Sequence, residues 1–246
     1  MIFTPTIPLA DVIHENYHLL PIINRFGIQL GFGSKSVAEV CSEKGITVEF
    51  FLEILNAYNS KDFSPPAVLQ NFSVKLIIDY LSNTHHYFLS AKIPEIGELI
   101  ADLLGGSSSA NREKVLLVQK FFDEYRHELE VHTFLEDDDV YPYSLWIEQE
   151  FLSGNPSAKC IDHIHSNSIN KYAQEHSNVD EKLFDLKNII IKYLPPLENC
   201  NLQNSILYGL FSLEKDMKAH VAIENKVLVP RVQQMERLLL KMSDRG

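Results

Sequence analysis

Two stretches of this 246-residue chain repeat a pattern of residue types able to do chemistry. His132 is followed by Glu136 four residues on and by Pro142 ten residues on, and His220, Glu224 and Pro230 repeat both offsets. In a helix, positions i and i+4 differ by about 40° around the axis, so each His shares one face with its Glu. A single His-x-x-x-Glu reads as an ordinary solvated pair. Two copies with a proline at the same offset argue instead for two helices in related positions, each kinked at its proline. Further imidazoles stand at His85-His86, ahead of Pro94, and at His163 and His165.

Each of four predicted long helices thus offers at least one imidazole, and two of them add a carboxylate. His85 and His86 point about 100° apart and His163 and His165 about 200° apart, so at most one of each pair faces a shared centre. Four imidazoles and two carboxylates are costly to bury without a partner. A pair of metal ions resolves that cost, with the two glutamates bridging and two imidazoles on each ion. Mixed nitrogen and oxygen ligation suits iron best, with manganese or zinc as alternatives, and no cysteine lies in these motifs.

Other features yield less. Glu15/His18 and Glu124/His127 have the Glu-x-x-His spacing of ferritin-like sites. The first lies in the N-terminal part, however, and His127 is about 140° around the helix from His132, so both read as surface pairs. The acidic run Glu136 to Asp139 lacks the spaced, glycine-containing loop of a calcium site and reads as a solvated face. Phe121, Phe122, Tyr141, Tyr143 and Trp146 read as packing residues, and Cys41 as a buried helix residue. There is no glycine-rich phosphate loop and no nucleophile elbow.

The elements that must position the His/Glu motifs follow from the punctuation. Ser64-Pro65-Pro66, Gly105 to Ser109, Gly154 to Ser157, and Pro195-Pro196 with Asn199 to Asn201 are the breaks. Between them apolar residues recur at three- and four-residue spacing, as in Val74, Ile77, Ile78 and Leu81, and strand-like alternation is absent. The expected fold is all-α. Helices are predicted near 8–24, 36–43 and 47–58, and long helical segments near 68–104, 110–153, 157–193 and 202–242, kinked at Pro94, Pro142 and Pro230. Residues 1–65 are read as a small helical N-terminal domain, and 66–246 as an antiparallel up-down four-helix bundle. The net charge of −11, from 22 Lys+Arg against 33 Asp+Glu, disfavours a nucleic-acid partner. No apolar run is long enough to span a membrane, no signal peptide is evident, and three separated cysteines suit a reducing, cytoplasmic location.

These motifs resemble the hemerythrin-like domain, in particular the repair-of-iron-centres (iron–sulfur cluster repair) family, over nearly the whole chain. That family has a His eight residues before a Pro on the first bundle helix, matched by His86 and Pro94, and a third-helix His matched by His165 before Ser166. The N-terminal stretches Ile23 to Ile28, Gly31 to Lys35, Val37 to Val40 and Val48 to Phe51 also resemble the family's small leading domain. Its paired-cysteine turn is here Leu30-Gly-Phe-Gly-Ser-Lys35, with no cysteine. The resemblance implies two non-haem iron ions, oxo- and carboxylate-bridged, held by His86, His132, His165 and His220 with Glu136 and Glu224 bridging. It also implies a role in the nitrosative and oxidative stress response, through nitric oxide handling or iron donation to damaged iron–sulfur proteins, in a monomer or homodimer. The alternatives are a sensor that binds nitric oxide or O₂ without turnover, and a metal-free helical interaction protein.

Overall fold

The computed structural model describes residues 1–174, 179–194 and 200–243. The chain is all-α: among the described residues no strand forms, and a single isolated bridge joins Pro8 to Ser36. No described helix is long and apolar enough to cross a membrane.

Four short helices open the chain: α1 (Leu9–Glu15), α2 (Leu20–Arg25), α3 (Val37–Lys44) and α4 (Val48–Asn59). The single helix expected over 8–24 is divided. Asn16 is extended, at φ −150° and ψ 94°, and its side chain accepts the His18 N–H, so a 3₁₀ turn (Tyr17–Leu19) intervenes before α2. Asn side chains compete with the helical backbone in this way. The turn that leads into α3 places Gly31 and Gly33 at φ +100° and +68°, which an L side chain adopts only with strain. A capping box then starts α3, with Ser36 and Glu39 each satisfying the other's backbone N–H.

The later helices are α5 (Val74–Tyr87), α6 (Ile93–Gly105), α7 (Ser109–Leu135), α8 (Tyr141–Ser153), α9 (Ala158–Ser166), α10 (Ile169–Gln174), α11 (Val179–Asn188), α12 (Cys200–Ile223) and α13 (Val229–Ser243). The kinks expected at three prolines take a definite form. π turns at Phe88–Lys92, Glu136–Val140 and Glu224–Leu228 join α5 to α6, α7 to α8 and α12 to α13. Each ends two residues before Pro94, Pro142 or Pro230. Proline donates no hydrogen bond and crowds the carbonyl one turn back, and a widened turn accommodates both defects without ending the helix. The helix expected over 157–193 is interrupted instead. Asn167 leaves helical geometry at φ −146° and ψ 73°, closing α9 before α10 begins.

The described chain forms two compact units. One comprises residues 85–141 and 174–218. Its core runs from Phe88 through Ile96, Phe122, Tyr125, Leu186 and Leu210 to Met217, and so draws on α6, α7, α11 and α12. Gly209 belongs to this packing: a Cβ there would meet Ile96 Cγ1 at 2.9 Å. The other unit comprises residues 1–84, 142–173 and 219–246. Phe50, Phe51, Ile54 and Leu55 of α4 are buried in it, as are Ile147 of α8, Ile164 of α9 and Val232, Met235 and Leu239 of α13.

Candidate metal centre

Glu136 ends the regular part of α7 and is the first residue of the π turn. Thr133, one turn earlier, and Leu129 before it are buried, so Glu136 continues the inward stripe. Its two carboxylate oxygens face different rings. Oε1 lies 3.2 Å from His132 Nε2, and Oε2 lies 3.2 Å from His85 Nε2. The His85 ring is itself held on further sides. Its Nδ1 is 3.0 Å from Asp137 Oδ2, and its Nε2 is 3.4 Å from the Tyr141 hydroxyl, whose ring stacks on the imidazole at 5.5 Å. On α12, His220 and Glu224 repeat the i,i+4 pair, with His220 Nε2 at 3.4 Å from Glu224 Oε1. Leu213 and Met217 lie on the same inward stripe and bring His220 to the buried face.

In the unit of residues 85–141 and 174–218, His85 and Glu136 are buried with His132 beside them, and in the other unit His220 and Glu224 are buried as a pair. Buried carboxylates beside imidazoles carry the negative charge that a divalent ion neutralises, so the donor types suit a metal.

The six residues expected at the centre are placed unequally. Glu136 stands between His85 and His132, and His220 is paired with Glu224. His86 and His165 are exposed. His85 is the buried imidazole of α5. The signal was in the sequence: Ile77, Leu81, His85 and Phe88 follow one another at helical spacing and all are buried, whereas His86 is turned about 100° off that stripe. On α9, Cys160 and Ile164 face inward and His165 follows Ile164 by one position. His163, the alternative on that helix, packs against Tyr143 and Trp146. Asp137 and Tyr141, which touch His85, lay within an acidic run and an aromatic cluster and carried no ligand spacing of their own.

A third buried carboxylate lies on α13. Glu236 Oε1 accepts from the Tyr143 hydroxyl at 2.5 Å and from the Ile169 N–H at 2.8 Å. Burial pushes its pKa above the usual 4.5, opposed by these two donors and by His163. The Cys41 and Cys160 thiols are also pushed up, each to about 11, chiefly by burial and further by nearby carboxylates.

No family model matches the chain. It is similar to the iron–sulfur cluster repair protein ScdA of Staphylococcus haemolyticus (strain JCSC1435), at 21% identity over 226 residues, 89% of this chain and 95% of that protein. It is similar at the same identity to the iron–sulfur cluster repair protein ScdA of two strains of Staphylococcus epidermidis, with 91% of this chain and 96% of each relative covered. Weak in identity but consistent in name and near-complete in coverage, these relatives give family-level support to placing the chain with the repair-of-iron-centres proteins.

Proposed function

We propose that the chain is a non-haem di-iron protein acting in the repair of iron–sulfur centres, with His85, His132, Glu136, His220 and Glu224 holding the metal. One observation carries this reading: Glu136 presents each carboxylate oxygen to a different imidazole, at 3.2 Å in both cases. A carboxylate in that position is suited to bridge two ions, one beside each ring. Glu224 and His220 add a second carboxylate and a third imidazole. The repair role rests on the relatives, whose names state it. In the same reading residues 1–65 are the small leading domain and 66–246 the hemerythrin-like bundle.

Bound iron would supply one-electron chemistry and coordination positions for a diatomic such as nitric oxide. The residues of the chain have separate tasks. Glu136 and Glu224 would neutralise and hold the ions, while the imidazoles would complete the ligand set without a thiolate. Burial of these side chains would keep bulk water from competing for the donors. His86 and His165, being exposed, are outside the proposed set.

The test begins with protein purified without chelators. About two irons per chain, lost in Glu136→Gln and Glu224→Gln, is the expected result. The iron-loaded protein is then added to an iron–sulfur enzyme inactivated by nitric oxide. Recovery of that enzyme, absent with the iron-free variants, supports repair. Iron binding without recovery rejects the repair role, and no iron after anaerobic reconstitution rejects the centre.

A further inference from the structure

We propose that Gln70 is a positioning residue for Glu224: its side-chain amide supplies the hydrogen bond that Pro230 withholds, and so fixes the π turn on which Glu224 stands. The proposal rests on the reading of Glu224 as a metal ligand. It begins with a missing donor. In a regular helix the carbonyl of Lys226 accepts from the N–H of residue 230, and residue 230 is a proline with no N–H. Gln70 Nε2 donates to that carbonyl at 2.8 Å, across 156 positions of sequence. A backbone carbonyl only accepts, so the amide nitrogen of Gln70 is the atom that must face it. Lys226 lies within the π turn Glu224–Leu228, which the Val229 N–H closes by donating to the Glu224 carbonyl. The turn thus carries the carboxylate at its first residue and receives its outside hydrogen bond at Lys226.

Gln70 is delivered to this place by its own segment, and every residue involved belongs to the unit of residues 1–84, 142–173 and 219–246. Half-buried itself, it lies in a 3₁₀ turn (Ala67–Asn71) that packs on the π turn, with Leu69 beside it buried. Just beyond, the start of α5 is held from α8. Glu148 Oε1 accepts the Val74 N–H at 2.7 Å, and Oε2 accepts the Lys75 N–H at 3.3 Å. A carboxylate on the first turn of a helix is a charge-assisted cap. The segment is therefore pinned on both sides of Gln70, and its amide reaches the carbonyl without ordering a free loop. Water would satisfy an exposed carbonyl as well, so the bond acts through geometry more than through stability. Val227, Leu228 and Val229 are all buried, a run that a helix turning about 100° per residue does not keep on one face. The widened turn permits it. Tightening that turn to regular geometry would rotate Glu224 by about 100°, one residue's worth, relative to α13. Buried Val232, Met235 and Leu239 anchor α13, so the rotation would fall on Glu224.

The experiment uses the full chain and two readouts. The first is amide hydrogen exchange of the metal-free protein at the Val229 N–H, which closes the turn. Gln70→Leu removes the donor, and Gln70→Glu keeps the shape but replaces the donor with an acceptor. Both are expected to speed Val229 exchange about 3–10-fold, the size of one lost hydrogen bond. The second readout is ferrous-ion affinity, measured anaerobically against a chromophoric chelator, and both variants are expected to bind about 3–10-fold more weakly. In Pro230→Ala, where residue 230 has an N–H of its own, adding Gln70→Leu is expected to change either readout by less than about twofold. Should Pro230→Ala fail to fold, Pro230→Ser, which also carries the N–H, takes its place. Faster Val229 exchange with ferrous affinity within about twofold of wild type would mark a bond that holds the turn without positioning Glu224, and overturns the proposal. Unchanged exchange in both Gln70 variants overturns it too, as does an effect of Gln70→Leu as large in Pro230→Ala as in wild type. If wild-type protein binds no ferrous ion, the ligand reading of Glu224 fails, and Val229 exchange still decides whether Gln70 holds the turn.

Discussion

Glu136 Oε1 lies 3.2 Å from His132 Nε2, one helical turn back along α7, and this pair sits where the helix widens into a π turn. The His-x-x-x-Glu spacing provides the shared face. Pro142, six residues after Glu136, imposes the widened turn that begins at the carboxylate. The same order recurs at His220, Glu224 and Pro230. In both copies the backbone irregularity and the chemistry coincide.

A buried carboxylate in a cluster of like groups destabilises the metal-free protein and stabilises the loaded one. Glu136→Gln is therefore expected to unfold, without metal, at a temperature no lower than wild type, and to lose the upward shift that ferrous ion gives the wild type. Thermal unfolding with and without ferrous ion, under anaerobic conditions, measures both. A metal-induced shift of wild-type size in the variant would count against Glu136 as a ligand.

His85 and His86 provide a sharp contrast because they are adjacent in sequence and opposite in burial. His85→Ala is expected to lose most of the bound iron, and His86→Ala to keep the wild-type content. Metal analysis of the two purified variants is sufficient. The reverse result would restore the ligand set that the resemblance implied and remove His85 from the centre.

Glu236 yields a pH prediction. Its folded pKa is raised by burial above the usual 4.5, so the folded protein keeps this proton to higher pH than the unfolded chain does. The corresponding stability is full below the unfolded pKa and is lost as the pH rises through the folded value. Glu236→Gln is uncharged throughout and lacks that loss. Wild type should therefore lose stability relative to the variant on raising the pH from 4.5, by at most about 1.4 kcal/mol per pH unit. Denaturant titrations between about pH 4 and pH 8 measure the difference. Parallel curves would show that the carboxylate ionises as freely folded as unfolded.

The three cysteines should react at different rates. Cys41 and Cys160 are buried, with thiols pushed up to about 11, whereas Cys200 is exposed. Thiolate is the reactive form, so a thiol reagent at neutral pH should titrate one group in the native protein and three after unfolding. Rapid modification of a second native thiol would show that one of the buried sites opens readily.

Tyr143 donates to the buried Glu236 at 2.5 Å. Tyr143→Phe removes that donor and is expected to destabilise the protein by about 1–3 kcal/mol. In Glu236→Gln the same substitution should have a smaller effect, because an amide accepts without a buried charge. A double-mutant cycle by denaturant unfolding checks the coupling, and additive effects would argue that the two groups act independently.

The sequence by itself determined the class of the fold and, within single helices, which His and Glu share a face. Apolar spacing and the absence of alternation are local properties, and they sufficed for an all-α chain with long helical segments. The His-x-x-x-Glu repeat placed His132 with Glu136 and His220 with Glu224, since i,i+4 geometry is set within one helix. Tertiary structure decided what local spacing leaves open. Which of two adjacent histidines turns inward depends on what the helix packs against, and the buried stripe through Ile77, Leu81 and Phe88 selects His85. The expected helix over 157–193 ends early because Asn167 leaves helical geometry, and His165 remains exposed. The contacts of Asp137 and Tyr141 with His85 join residues 52 and 56 positions apart, a pairing that only the folded chain brings together.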